Sequence, residues 1–206
     1  QIVADSTTDT STADSLLAGT GAIGSAVPGS TLAVSAAALS RVTGNILVEA
    51  TDNITVSPGV SLSLAEDSST SGTTGATGPV RSARFVADSD GNGVGSFTLP
   101  SGQTITAPGR SVEISGASVA IGDISTTSTT TAGGALTLRA TAGDLTVGNL
   151  DSSSEFGSAG PINLSATGNV KVDTILATAT GAGTTAAGTA PTGLSLIHIS
   201  EPTRPY

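Results

Sequence analysis

The chain has no cysteine, methionine or tryptophan, one tyrosine, one histidine and three phenylalanines among its 206 residues. Without cysteine there is neither a disulfide framework nor a zinc site of thiolates. Such a composition also suits a chain that crosses membranes unfolded and folds outside. With large side chains so scarce, a core has to be built from Val, Ile, Leu and Ala, and thin, regularly stacked layers suit those residues. Positive charge is scarce too: seven Lys and Arg stand against sixteen Asp and Glu, a net charge of −9. Nucleic-acid binding rests on Lys and Arg, so no nucleic-acid partner is expected.

The sequence opens at Gln1, and no basic stretch leads into an apolar run, so no signal peptide is visible and the start is expected to be missing. The nearest approach to an apolar signal core is LAVSAAAL at 32–39, but Asp5, Asp9 and Asp14 precede it where positive charge belongs. It reads as an imperfect strand pair, with a short helix as the alternative because Ala and Leu favour one. Membrane insertion is not expected.

Ser, Thr and Gly dominate the remainder, yet a period runs through them that disordered chains lack. In GALTLRATAGDLTVGNL, Leu136, Leu138 and Ala140 alternate with Thr137, Arg139 and Thr141; in GPINLSATGNVKVDTILA, Ile162, Leu164 and Ala166 alternate with Asn163, Ser165 and Thr167. Each run turns at Gly, Asp or Asn and starts a second strand, Leu145 and Val147 in one, Val170 and Val172 in the other, with a third apolar position at Leu150 or Ile175. Alternation is the period of a half-buried strand, and recurrence at roughly 25 residues is that of a solenoid coil. GNILVEATDNITV at 44–56 lines up with 160–172 without a gap, and 61–64 supplies its third strand. The coil at 79–107 is the least regular; Phe85, Phe97, Leu99 and Ile105 can point inward, while 88–95 interrupts them. From Arg110 the order returns with Val112, Ile114, Val119, Ile121 and Ile124.

The expected architecture is therefore all-β, a parallel β-helix of about five three-strand coils over 31–193, after an irregular N-terminal segment at 1–30. At a rung spacing of about 4.8 Å the stack is roughly 20 to 25 Å long. The polar gaps DISTTSTTTAGG, DSSSEFGSAG and ATATGAGTTAAG fall at one place in their coils, so one corner becomes a column of polar loops. No polar cap is visible at either end, which leaves open strand edges.

The last stretch, 194–206, follows no coil pattern and holds the only His, His198, and the only Tyr, Tyr206. Codon by codon, its residues Leu194 to Arg204 look like the translation of a transposase-type sequencing adapter, a non-native tail to be excluded from fold reasoning. The alternative is a genuine strand at 196–199.

GNILVEATDNITV, GALTLRATAGDLTV and GPINLSATGNVKV together resemble the passenger repeats of filamentous-haemagglutinin-like adhesins, especially the large cyanobacterial ones, over about Thr31 to Gly188. The resemblance implies a right-handed parallel β-helix and two-partner secretion through an outer-membrane pore. It also implies a secreted or cell-surface adhesin whose target is a host or neighbouring-cell surface or a glycan. The secretion domain of that family, with its Asn-Pro-Asn motifs, is not found here, which fits a slice from the middle of a longer protein.

Residues that could carry chemistry are few. Asp88, Asp90 and Asn92, followed by Gly93, fit the opening of a calcium loop, in which hard oxygen ligands alternate along the chain, but Leu99 stands where the closing Glu belongs. The same residue types make ordinary turns. Glu66 and Asp67, and Asp151 with Glu155, are carboxylates on different coils, whereas a glycosidase or lyase wants a pair facing one groove. His198 is the lone candidate base and lies in the tail. Glycine runs such as 93–96 lack the Lys of a phosphate loop. A non-enzymatic structural and adhesive solenoid is expected, with a β-helical polysaccharide-acting enzyme scaffold or an inert surface spacer as the alternatives.

Overall fold

A computed structural model describes residues 1–4, 10–24, 31–67 and 81–180, and the backbone of 197–200. Most of the described chain is a stack of parallel strands in three columns. The first column is built from β2 (Ala22–Gly24), β4 (Ile46–Glu49), β7 (Ser82–Val86), β10 (Ser111–Gly116), β13 (Leu136–Ala140), β15 (Ile162–Ala166) and β17 (Ile197–Ser200), paired in that order. The second runs through β5 (Ile54–Thr55), β8 (Ser96–Thr98), β11 (Ser118–Ile121) and the first half of β14 (Leu145–Asp151) to β16 (Val170–Leu176). The third runs through β6 (Leu62–Ser63), β9 (Thr104–Thr106), β12 (Asp123–Ser125) and the second halves of β14 and β16. This is a parallel β-solenoid of about five coils.

The register explains why so few residue types suffice. Ile46, Ala83, Val112, Leu136 and Ile162 stand on one another, as do Val48, Phe85, Ile114, Leu138 and Leu164, and all ten are buried. In the second column Ile54, Phe97, Val119, Leu145 and Val170 form the equivalent row. Period-two alternation sends every second side chain to the axis, and stacking coils supply the area that one coil cannot bury alone. The inward residues expected of the irregular coil, Phe85, Phe97, Leu99 and Ile105, are all buried. Phe85 and Phe97 face each other across the axis with ring centroids 5.6 Å apart.

Two departures from three separate strands per coil have local causes. In the fourth and fifth coils the second and third strands run on as single seven-residue strands. There the corner tightens to Gly148–Asn149, where a Cβ on Gly148 would stand 2.5 Å from Asp123 Oδ1 and 2.7 Å from the Gly122 carbonyl oxygen. Across the corners, side-chain oxygens of one coil accept backbone N–H groups of the next: Asn53 from Ser96, Asp123 from Asn149 and Asp144 from Asn169, at 2.7–2.8 Å. The Asp, Asn and Gly turns thus join coils as well as reverse the chain.

The segment ahead of the first regular coil is more ordered than its sequence suggested. β1 (Ile2–Val3) pairs with β3 (Val34–Ser35), α1 (Ser11–Thr20) leads into β2, and α2 (Ala36–Arg41) follows β3. At 32–39 the expected strand pair is therefore replaced, past Ser35, by the helical alternative. Ser35 starts α2 by accepting the Ala38 N–H on its side chain, and donates from its own N–H and hydroxyl to the Asp14 carboxylate on α1. Ala13, Leu17 and Leu39 are fully buried beneath the two helices. The expectation of an uncapped end is corrected here: β2 covers the first column, Ile2 bridges to Val56 in the second, and α2 lies against β6 in the third. The signal was hard to see because α1 and α2 are short and each contributes only one or two buried residues.

At the other end, β17 pairs in parallel on β15, with Ile197 opposite Ile162 and Ile199 opposite Leu164. The strand overlaps the 196–199 run that the alternative reading of the tail named.

Candidate functional site

The calcium-loop residues do share one loop, between β7 and β8. Asp88 adopts a left-handed backbone at φ 55°, which Asp tolerates, and its carboxylate accepts the Gly93 N–H at 3.1–3.2 Å. Asp90 accepts from the Asn92 amide nitrogen at 2.8 Å, and the Asn92 oxygen accepts the Val94 N–H at 2.7 Å. Asn92 thus turns a donor toward Asp90, the reverse of two oxygens sharing a cation. The residues as placed fit a hydrogen-bonded turn and do not fit a calcium cradle. Among the described residues no cluster of three or more His, Asp or Glu has the spacing of a metal site.

The other candidate carboxylates are dispersed. Asp151 accepts its own loop's Ser153 N–H, Glu66 accepts from Thr130, and Asp67 is buried beside Arg81. His198 lies on β17, opposite Asn163 in register.

What the structure does concentrate is the polar corner, and sequence reasoning missed its character. Thr126, Ser128, Thr131, Ser152 and Ser154 are buried rather than displayed. Thr126 Oγ1 donates to the Gly134 carbonyl and Ser152 Oγ to the Gly160 carbonyl, each at 2.7 Å and eight residues on. The hydroxyl that opens each loop therefore holds the glycine that closes it. These glycines are required by proximity: a Cβ on Gly134 would stand 2.0 Å from the Arg110 carbonyl oxygen, and one on Gly160 2.1 Å from that of Gly134. The readable signal was the recurrence of a Ser or Thr eight positions before a Gly.

At the same corner Arg110 is fully buried. Its Nε donates to the Ala65 carbonyl at 3.1 Å, Nη1 to those of Gly44 at 2.6 Å and Ser82 at 3.5 Å, and Nη2 to that of Val42 at 3.2 Å. Burial pulls its pKa below the ordinary arginine value, and the Asp67 carboxylate opposes that shift. Asp67 in turn accepts the Arg81 N–H at 2.7 Å and lies 3.9 Å from the Arg81 guanidinium. One side chain from the start of the third coil thereby ties together the α2–β4 connection and the first two coils. Its bonds are all structural; none is offered to a ligand.

Two cavities flank the N-terminal cap. One of about 410 Å³ is lined by Ile2, Ile23, Leu32, Val48 and Ile54, and one of about 620 Å³ by Leu17, Ala38, Arg41 and the 42–45 turn. Glu49, Asp52 and Asn53 also line the first, and Asp14 and Ser35 the second.

Compared with family models, curated proteins and solved structures, the chain matches none of them. The stack itself is therefore the firmest guide to function.

Proposed function

We propose that the chain is a non-catalytic structural and adhesive segment of a secreted or cell-surface filamentous protein, as the resemblance of its coils to adhesin passenger repeats implies. The observation that carries this reading is the in-register stacking of five coils. It sets outward side chains in straight columns, such as Thr55, Thr98, Ala120, Thr146 and Lys171, at intervals of about 4.8 Å. Repetition of weakly binding polar groups at a fixed spacing suits an extended partner, a glycan or a neighbouring cell surface, through many small contacts. The absence of cysteine accords with export through an outer-membrane pore partner. Dispersal of the carboxylates over separate coils and loops argues against the rival reading of a polysaccharide-cleaving scaffold.

The reading predicts that the purified chain binds saturably to at least one class of surface glycan or to intact cells, with no release of reducing ends from polysaccharides. Surface plasmon resonance on a glycan panel and a reducing-sugar assay check both halves. Inert behaviour across panel and cells makes the segment a spacer, and production of reducing ends makes it an enzyme's scaffold.

A further inference from the structure

Asn92 sits in an arrangement that no other asparagine of the chain shares. Of the six, at 45, 53, 92, 149, 163 and 169, it alone is followed by glycine; the others precede Ile46, Ile54, Leu150, Leu164 and Val170, each of them in a strand. Asn92 and Gly93 lie instead in the exposed loop between β7 and β8, with Gly93 at φ 80° and no side chain to shield its nitrogen. A side-chain amide and the backbone nitrogen that follows it are the two halves of a succinimide ring, and here each half is prepared. The Gly93 N–H donates to both oxygens of the Asp88 carboxylate, at 3.1 and 3.2 Å, so a base already holds the proton that the nitrogen must lose. Asn92 Oδ1 accepts the Val94 N–H at 2.7 Å, which polarises the amide carbonyl and stabilises the charge it gains under attack. Asp88 is buried while Asn92 and Gly93 are exposed, so the base is fixed and water reaches the reacting amide.

We propose that Asn92 is a self-modification site, at which the chain converts its own amide to a carboxylate. As Asp88 takes the Gly93 proton, the Gly93 nitrogen forms a bond to Asn92 Cγ and the Cγ–Nδ2 bond breaks. The proton passes through solvent to the departing nitrogen, which leaves as ammonia, and a succinimide joins residues 92 and 93. Water then opens the ring at either carbonyl and gives aspartate or isoaspartate at 92. In sum one water is consumed and one ammonia released, and no oxidant or reductant is needed. The change is one-way and alters the loop. The new carboxylate stands where the Asn92 amide had donated to Asp90 at 2.8 Å, so an attractive contact becomes a repulsion between like charges, and the net charge of −9 becomes one unit more negative. The isoaspartate form also adds a methylene to the backbone at this corner of the second coil.

The test uses the full chain, kept at neutral pH and sampled over days, with the product at 92 read by mass spectrometry of its proteolytic peptide and ammonia release measured alongside. The same chain unfolded in guanidinium chloride supplies the rate that Asn92 and Gly93 have without their folded neighbours. The folded chain is expected to convert Asn92 several-fold faster than the unfolded one, while the other five asparagines stay unchanged. Asp88→Asn keeps a side chain that tolerates the left-handed backbone and still accepts the Gly93 N–H, but it is no base. It is expected to slow conversion by roughly 10²-fold, the lower end of what a positioned acid or base supplies, with the β-sheet signal in circular dichroism intact. Should that variant lose the sheet signal, the comparison of folded with unfolded chain, which needs no substitution, decides alone. A folded chain that converts Asn92 no faster than the unfolded one overturns the proposal. So does an Asp88→Asn protein with an intact sheet signal that converts at the parental rate, since the carboxylate would then only shape the turn.

Discussion

Replacement of Arg110 by alanine is expected to lower the unfolding free energy by about 3–5 kcal/mol, the range for removing one member of a buried ionic arrangement. Three effects add in the same direction. The carbonyls of Val42, Gly44, Ala65 and Ser82 lose a charged donor in a partly buried corner; a hydrogen bond to a charged group is worth about 1.5–3 kcal/mol. The volume of the largest fully buried side chain becomes a cavity. Asp67 loses an opposing positive charge. Lysine should rescue little, because one ammonium on a flexible stem cannot reproduce a planar fork directed at separate carbonyls. Chemical denaturation followed by circular dichroism measures both variants. An Arg110→Ala protein within about 1 kcal/mol of the parent would mean that the arginine is a passenger in that corner.

Phe97→Ala is expected to cost a similar amount, about 3–5 kcal/mol. The ring is fully buried, lies between Ile54 and Val119 in its column, and meets Phe85 across the axis. Apart from Phe85, the core around it is aliphatic side chains and alanine, and parallel pairing above and below holds the backbone in place. Phe97→Leu keeps most of the volume and should lose less than about 1.5 kcal/mol. A double-mutant cycle with Phe85→Leu isolates the ring pair, expected at about 0.5–1.5 kcal/mol.

These two residues also mark what could and could not be read in advance. The stack was legible because its cause is periodic: alternation at 46–50, 112–114, 136–140 and 162–166 assigns each side chain to the axis or the surface. The inward places of Leu145, Val147 and Leu150 followed from the same rule, and so did Phe97 in the least regular coil. Arg110 was not legible. Its charge argues for solvent, and its burial depends on four carbonyls contributed by segments between 28 and 68 residues away. The cap escaped notice for a related reason, since Ala13, Leu17 and Leu39 acquire a common purpose only once the helices fold onto the first coil. At the polar corner composition misled: Ser and Thr gaps resemble surface loops, yet Thr126 and Ser152 turn inward because the loop's own glycine carbonyls accept their hydroxyls. At Asp88, Asp90 and Asn92 the spacing of a calcium loop was legible, while the hydrogen bonds these side chains make within their own turn were not.

The central claim is that residues far apart in sequence are brought to rung spacing by in-register stacking. The chain contains no cysteine, so spin labels can be placed in pairs without background, and the outward column through Thr55, Thr146 and Lys171 is the natural ruler. Pulsed electron paramagnetic resonance is then made on Thr55→Cys/Thr146→Cys and on Thr55→Cys/Lys171→Cys. The account predicts narrow distance distributions centred near 14 Å and 19 Å before label-arm offsets, a difference of about 4.8 Å for one added coil. Broad distributions, or a separation that does not grow by one rung between the two pairs, would contradict it.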